Sequence, residues 1–183
     1  MATAEALLTA EEYGNMPDDG RRTELVRGRI VEVGQPRLRH GQVCNRAAFL
    51  LTTSVEEHDL GHILINDTGV ITERDPDTVR GADVAFYSFD RLPKGPLPHE
   101  YPSVAANLII EVRSPSDRWP DILAKVAEYL HLGVPVVCVL DPDPEAAYLY
   151  YPDRPNRTLG PDDELTFPEC LGDFRVAVRR FFE

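Results

Sequence analysis

Cysteine is sparse in this chain. The three residues, Cys44, Cys138 and Cys170, are far apart, odd in number and form no C-x-x-C pair. That argues against a disulfide framework or a zinc site and fits reduced, buried thiols in a cytoplasm, the location expected here. Long apolar runs are missing as well. None reaches the roughly 18 residues of a membrane span, so no membrane partner is expected. The N-terminal stretch MATAEALLTAEEY has no basic region and no long apolar segment, so a secretory signal is not expected either. There is no G-x-S-x-G, no P-loop and no glycine-rich dinucleotide fingerprint. Positive charge is in deficit: 19 Lys and Arg stand against 31 Asp and Glu, a net charge of −12. This weighs against loose, general nucleic-acid binding, which runs on phosphate neutralisation, but leaves a local basic groove open. Acid excess also suits divalent cations, although a solvated surface accounts for it equally.

What is present is an ordinary globular composition: 183 residues, 43% apolar and 27% charged. That is enough for one domain, 1–183, with a sizeable core and no internal repeat. Thr9 followed by Glu12 has capping-box spacing and predicts a short helix ending near Gly14. TELVRGRIVEVG alternates apolar and polar residues on both sides of Arg27-Gly28, as in a hairpin with Glu24 on its first arm. From His40 to about Asp59 the period changes. Val43, Ala47, Leu50, Leu51 and Val55 fall on one helical face, and Gly61 is the expected terminator. HILIN and GVITE then read as two strands joined at residues 67–69. Residues 74–80 are polar and turn-rich, and residues 82–87 form another strand with Asp83 near its start. Residues 90–103 hold four prolines and read as an irregular excursion within the domain.

The remainder is organised around residues 107–141, a buried strand, a loop, an amphipathic helix and a second buried strand. Ser116 or Asp117 is positioned to cap the helix, and Pro120 suits its first turn. Ile122, Val126, Tyr129 and Leu130 form its buried stripe, and Gly133 stops it. The following run, residues 134–140, is continuously apolar, as in a central parallel strand. Residues 147–151 and 164–167 read as further strands, and VAVRRFF as a short docking helix.

The first of these buried strands, LIIEV, carries a carboxylate. A lone ionised Glu111 on a buried strand is costly unless something positive holds it. The next helix offers Lys125, to one side of the apolar stripe, and a metal ion is the other candidate. Asp83 sits in a similar setting within ADVAFY. Two carboxylates at one sheet edge repel unless a cation bridges them. Mg²⁺ prefers one or two carboxylates plus waters and phosphate oxygens, so Asp83 and Glu111 suit it. A nearby lysine would orient or help activate an attacking water and stabilise charge on a phosphate. Each residue also has an ordinary reading. Asp83 could make a turn hydrogen bond at a strand entry, and Glu111 an ion pair with Arg113 or Lys125. Lys125 could be a solvated helix lysine, and Glu24 a polar hairpin position. His40, opening the long helix, could touch a phosphate or an acid in the cleft, or be a plain capping residue.

The ordered set TELVRGRIVEV, RH, GADVAF, LIIEVRSPS and DILAKVAEYLHLGVPVVCVLDP resembles the Uma family of restriction-endonuclease-like proteins, from Thr9 to Phe182. The resemblance implies an α/β fold of the PD-(D/E)XK nuclease type: a mixed sheet flanked by helices, with a divalent-metal site at one edge. It makes Asp83 the motif aspartate and Glu111 the second motif acid. The lysine usual two residues after that acid is replaced by Arg113, and the family pattern supplies it from the next helix as Lys125. Glu24 matches the acid of the first hairpin, and His40 the histidine opening the long helix. Ala82 stands where the nuclease pattern usually has proline. The implied function is Mg²⁺- or Mn²⁺-dependent cleavage of DNA phosphodiester bonds. Asp83, Glu111 and Glu24 would be at the metal, Lys125 at the water and His40 at a phosphate or behind an acid, in a chain expected to work as a homodimer. Two alternatives stay open: a non-cutting module that binds nucleic acid or a protein, and an enzyme acting on another phosphate ester.

Overall fold

Strand β4 (Thr78–Ser88) is the spine of the molecule. In the computed structural model, which describes residues 6–183, it is flanked along one edge by the long strand β3 (Gly61–Glu73). Its other edge is shared by two strands. At the start, Val79 pairs with Leu25 of β1 (Thr23–Val26). Further on, Val84, Ala85 and Phe86 pair with Ile110, Ile109 and Leu108 of β5 (Leu108–Val112). Residues 80–83 therefore have strand β3 on one side and an opening on the other. The site is built in this notch.

The rest of the sheet grows outward from β5. Helix α3 (Trp119–Leu132) carries the chain over to β6 (Val137–Asp141), parallel to β5, and β7 (Ala146–Tyr150) and β8 (Arg157–Leu159) follow antiparallel. On the other side β2 (Arg29–Glu32) closes the first hairpin as an edge strand. The result is a mixed eight-stranded sheet of an α/β chain, with helices packed on its faces. Helix α2 (Leu38–Glu57) buries Val43, Ala47, Leu51 and Val55, spaced one turn apart, against Val84, Phe86, Leu108 and Ile110. Each such Val or Leu contributes about 1.5–3 kcal/mol on burial. Helix α3 buries Ile122, Val126 and Tyr129 on the opposite side, against Ala85, Ile109, Val137 and Val139. It stops at Gly133, whose φ of 102° places it in the left-handed region that a residue with a Cβ resists.

The Thr9 capping box, closed reciprocally by Glu12, opens helix α1 (Ala10–Gly14) as expected, and the hairpin turns at Arg27-Gly28. Other expectations are corrected. HILIN and GVITE are one bulged strand, because Asn66 and Asp67 take positive φ within the ladder instead of leaving it. Helix α2 starts two residues before His40 and ends at Glu57 with His58 as its C-cap, so Gly61 begins β3 and does not terminate the helix. A Cβ there would lie 2.0 Å from the Tyr87 carbonyl oxygen, which accounts for glycine. Strand β4 starts four residues before Ala82, which puts Asp83 at mid-strand. Neither Ser116 nor Asp117 caps α3. Its N-cap is Arg118 without a side-chain bond, and Asp117 instead accepts from the Ser114 amide at 2.8 Å. The C-terminal segment forms β9 (Glu164–Thr166), β10 (Arg175–Ala177) and a 3-10 turn, Val178–Phe181, that docks Val178 and Phe181 into the α2 core. The three cysteines are free. Among the described residues no helix is long and apolar enough to cross a membrane. Residues 1–5, part of the segment read as lacking a secretory signal, lie outside the described residues.

Candidate functional site

The notch at residues 80–83 opens into a cleft of about 400 Å³. All five residues singled out in the sequence line it: Glu24, His40, Asp83, Glu111 and Lys125. They arrive from five elements. The hairpin brings Glu24, α2 brings His40, β4 and β5 bring the two acids, and α3 brings Lys125.

Asp83 and Glu111 flank the point where the β4–β5 ladder ends. Beyond the Val84–Ile110 pair the strands part, and the Asp83 carboxylate takes over the next backbone donor, accepting from the Val112 amide at 2.7 Å. Its Oδ2 also lies 3.3 Å from His40 Nε2. Burial alone would push the His40 imidazole down. The Asp83 carboxylate, with Asp117 and Asp67 behind it, outweighs burial and raises it above its ordinary value.

Glu111 is buried and split between two partners. Tyr129 donates its hydroxyl to Oε1 at 2.8 Å, and Lys125 Nζ stands 3.6 Å from Oε2. Burial is the largest influence on its carboxyl, which is pushed up to about 7. The Lys125 ammonium and the Tyr129 bond work against that rise, and the charges of Asp83 and Glu24 add to it. Glu111 is thus short of positive charge. Lys125 is nearer Glu24, with Nζ 2.7 Å from its Oε1, and it also reaches the Gly81 carbonyl oxygen at 3.5 Å. Burial disfavours its charge, but Glu111 and Glu24 more than offset this and hold the amine protonated well above the usual lysine range.

Glu24 is saturated by partners. Besides Lys125 it accepts from Arg80 at 2.9 Å and from the Gly81 amide at 3.2 Å. Burial would raise its carboxyl, but Lys125 and Arg80 together hold it below the ordinary value. Arg80 in turn grips Glu128 through two bonds of 2.6 and 2.7 Å. The ion pair considered between Glu111 and Arg113 does not form. Arg113 turns away to Asp141 and Asp143, at 3.1 and 3.4 Å.

Several participants escaped the sequence reading. By spacing Tyr129 falls in the apolar stripe, although a buried phenol usually needs a partner for its hydroxyl, which is the available signal. Glu128 follows Lys125 by three residues on the helix, and Arg80 lay in a segment read only as turn. Cys44 lies one helical turn after His40, with its Sγ 3.4 Å from His40 Nδ1. Among the described residues, His40, Cys44 and Asp83 are the one group of three His, Cys, Asp or Glu whose ligand atoms all lie within 4.8 Å of one another.

The cleft sets the oxygens of Asp83 and of the under-compensated Glu111 beside one fixed ammonium. A hard divalent cation near Asp83 and Glu111 fits that donor set, because it would supply the charge that Glu111 lacks.

Comparison with known proteins agrees with this architecture. No curated protein matches the chain. A crystal structure described as "a putative nuclease belonging to DUF820" from Anabaena variabilis ATCC 29413 is similar over 96% of this chain and 97% of its own, with a TM-score of 0.83 and 17% sequence identity. At that identity the likeness is one of fold. Residues 10–179, which span every strand and helix that lines the cleft, match the family described as "Uma2: Putative restriction endonuclease", and to that family this chain belongs.

Proposed function

We propose that the cleft is the catalytic centre of a divalent-metal-dependent endonuclease that hydrolyses phosphodiester bonds in DNA. The observation that carries this reading is the meeting of Asp83, Glu111 and a clamped Lys125 in the gap that β1 and β5 leave along β4, with Glu111 buried and under-compensated. Asp83 and Glu111 would hold Mg²⁺ or Mn²⁺. When bound, such an ion supplies Lewis-acid charge to a phosphoryl oxygen and lowers the pKa of water.

The residues of the chain do the positioning. Tyr129 fixes one oxygen of Glu111 and leaves the other toward Lys125 and the cleft. The Val112 amide fixes Asp83 in the same way. Glu24 serves through Lys125, since its oxygens are already engaged by that amine, Arg80 and the Gly81 amide. Lys125 is an ammonium at neutral pH, so it acts as a donor. It orients the attacking water or the scissile phosphate and offsets the charge that builds on the phosphate oxygens. It is not the base that takes a proton from water. His40, with its raised proton affinity, offers a second positive contact for a phosphate at the mouth of the cleft. A duplex cut needs two such centres, which is the reason a homodimer is the expected working form.

The test is cleavage of plasmid and single-stranded DNA with Mg²⁺, Mn²⁺ or EDTA, using wild type, Asp83→Ala and Lys125→Ala. The expected result is metal-dependent cutting lost in both variants. Cutting that persists in both overturns the assignment. Affinity for DNA without cutting, unchanged by Asp83→Ala, would mark the chain as a non-cleaving nucleic-acid module.

A further inference from the structure

We propose that His40, Cys44 and Asp83 form a binding site for a zinc-type divalent cation, one that shares Asp83 with the oxygen pair of Asp83 and Glu111 but adds nitrogen and sulfur. His40 and Cys44 are four residues apart on α2, so their side chains rise one above the other on the same face. That face meets β4 where the ladder has opened, and Asp83 faces it.

The spacing can be compared with what an ion would require. With Zn–N and Zn–O near 2.0–2.1 Å and Zn–S near 2.3 Å in a tetrahedron, the nitrogen–oxygen edge is about 3.3 Å and the nitrogen–sulfur edge about 3.6 Å. The observed Nε2–Oδ2 distance is 3.3 Å and the Nε2–Sγ distance 4.0 Å. The imidazole meets the oxygen spacing as it stands, whereas Sγ lies nearer Nδ1, at 3.4 Å, so a new Cys44 rotamer is needed to carry the sulfur to the Nε2 side and complete three corners. The fourth corner falls toward the cleft, since His40 and Asp83 both line it. The side chains of His40 and Asp83 are only 11% and 10% exposed, and the Val112 amide fixes Asp83 through that same Oδ2, at 2.7 Å. The nitrogen and oxygen corners are held before an ion arrives, and the sulfur corner closes with it.

Ligand chemistry then decides which ion. Mg²⁺ seeks oxygen, and a sulfur corner brings it little. Imidazole, thiolate and carboxylate together select zinc, cobalt and their neighbours. The thiol proton leaves as the ion binds, as for any cysteine ligand. Asp83 cannot serve both ions fully, so a zinc-type cation would compete with Mg²⁺ and lower cleavage. That consequence rests on the proposed nuclease reading, whereas the site itself does not.

Cobalt(II) titration of the full-length, metal-free protein tests the site. One equivalent of Co²⁺ is expected to give a thiolate-to-cobalt charge-transfer band in the near ultraviolet and intense tetrahedral visible bands, both discharged by Zn²⁺. Cys44→Ser should abolish the charge-transfer band, whereas Cys138→Ser, Cys170→Ser and Glu111→Gln should keep it. His40→Gln, which leaves the sulfur in place, should weaken binding at least about 10- to 100-fold, since loss of mere supporting groups already costs that much. Zn²⁺ should also raise the melting temperature of wild type, which needs no variant to fold. No band in wild type, or a band that survives Cys44→Ser, overturns the proposal. The band is read without DNA. A protein that shows it but cuts nothing fails only as a nuclease, and one that cuts but lacks it fails only here.

Discussion

Replacing Glu111 by glutamine should stabilise the metal-free protein above neutral pH, although it removes a residue central to the site. The carboxyl rises from an ordinary 4.5 to about 7 in the folded chain, chiefly through burial. With the folded value above the unfolded one, the native state binds more protons between those two pH values, so stability falls as pH rises through that window. At about 1.4 kcal/mol per pH unit, the loss is about 3 kcal/mol once the window is passed, and nothing is lost below it. Glutamine carries no charge, and its carbonyl oxygen still accepts from Tyr129. Lys125 keeps its nearer partner, Glu24, at 2.7 Å. The amide NH₂ beside the ammonium returns part of the gain, which leaves about 1–3 kcal/mol. Urea unfolding in EDTA measures it. With a slope of about 2 kcal/mol/M, the midpoint should rise by about 0.5–1.5 M at pH 8.5 and not rise at pH 4.5. Mg²⁺ should then cancel or reverse that advantage: at 100 times its Kd it adds about 2.7 kcal/mol to wild type and little to the variant. A variant less stable than wild type at both pH values would refute the charge-deficit reasoning on which the metal reading stands.

Arg80→Met removes the cation shared by Glu24 and Glu128, whose side chains are only 7% and 16% exposed. Breaking such a pair from one side costs about 3–5 kcal/mol, read as a lower urea midpoint at unchanged slope. Because Glu24 is held below its ordinary value, that cost should be full at neutral pH and fade as pH falls below the ordinary 4.5. Lys125→Ala should slow single-turnover DNA cleavage by about 10²- to 10³-fold, the cost of losing one charge-stabilising donor. In wild type the pH profile should show no lysine-like loss below the ordinary 10.5, because Glu111 and Glu24 keep the amine charged despite its burial. Gly61→Ala should lower the thermal midpoint, since the new Cβ meets backbone at 2.0 Å and the cost is about 1–3 kcal/mol or more.

The elements most legible in the sequence were those whose pattern is local. The capping box at Thr9, the Arg27-Gly28 hairpin and the stop at Gly133 each depend on a few neighbouring side chains. The three acids, His40 and Lys125 were found because charged residues stood on segments otherwise apolar or periodic. What stayed hidden depends on partners remote in sequence. A positive φ at Asn66 and Asp67 is held by the β4 ladder opposite, so HILIN and GVITE looked like two strands. Arg80 looked like a turn residue, because its partners, Glu24 and Glu128, lie 56 and 48 positions away. The apolar period of α3 claimed Tyr129, and only the placement of Glu111 beside its hydroxyl reveals a second role.

The acid excess takes on a specific meaning at the cleft. The basic side chains lining it are largely committed to carboxylates: Lys125 to Glu24 and Glu111, Arg113 to Asp141 and Asp143, and Arg22 to Asp67. Few of these charges are free to neutralise phosphates, and it is phosphate neutralisation that gives nucleic-acid binding its strength and steep salt dependence. If the cleft works as proposed, DNA held without a divalent ion should bind weakly and with a shallow salt slope. Charge for the phosphate would come mainly from the ion, which relieves Glu111 at the same time. One arrangement therefore ties substrate affinity to metal occupancy. A free basic surface would have bound DNA whether or not the centre was ready to cut.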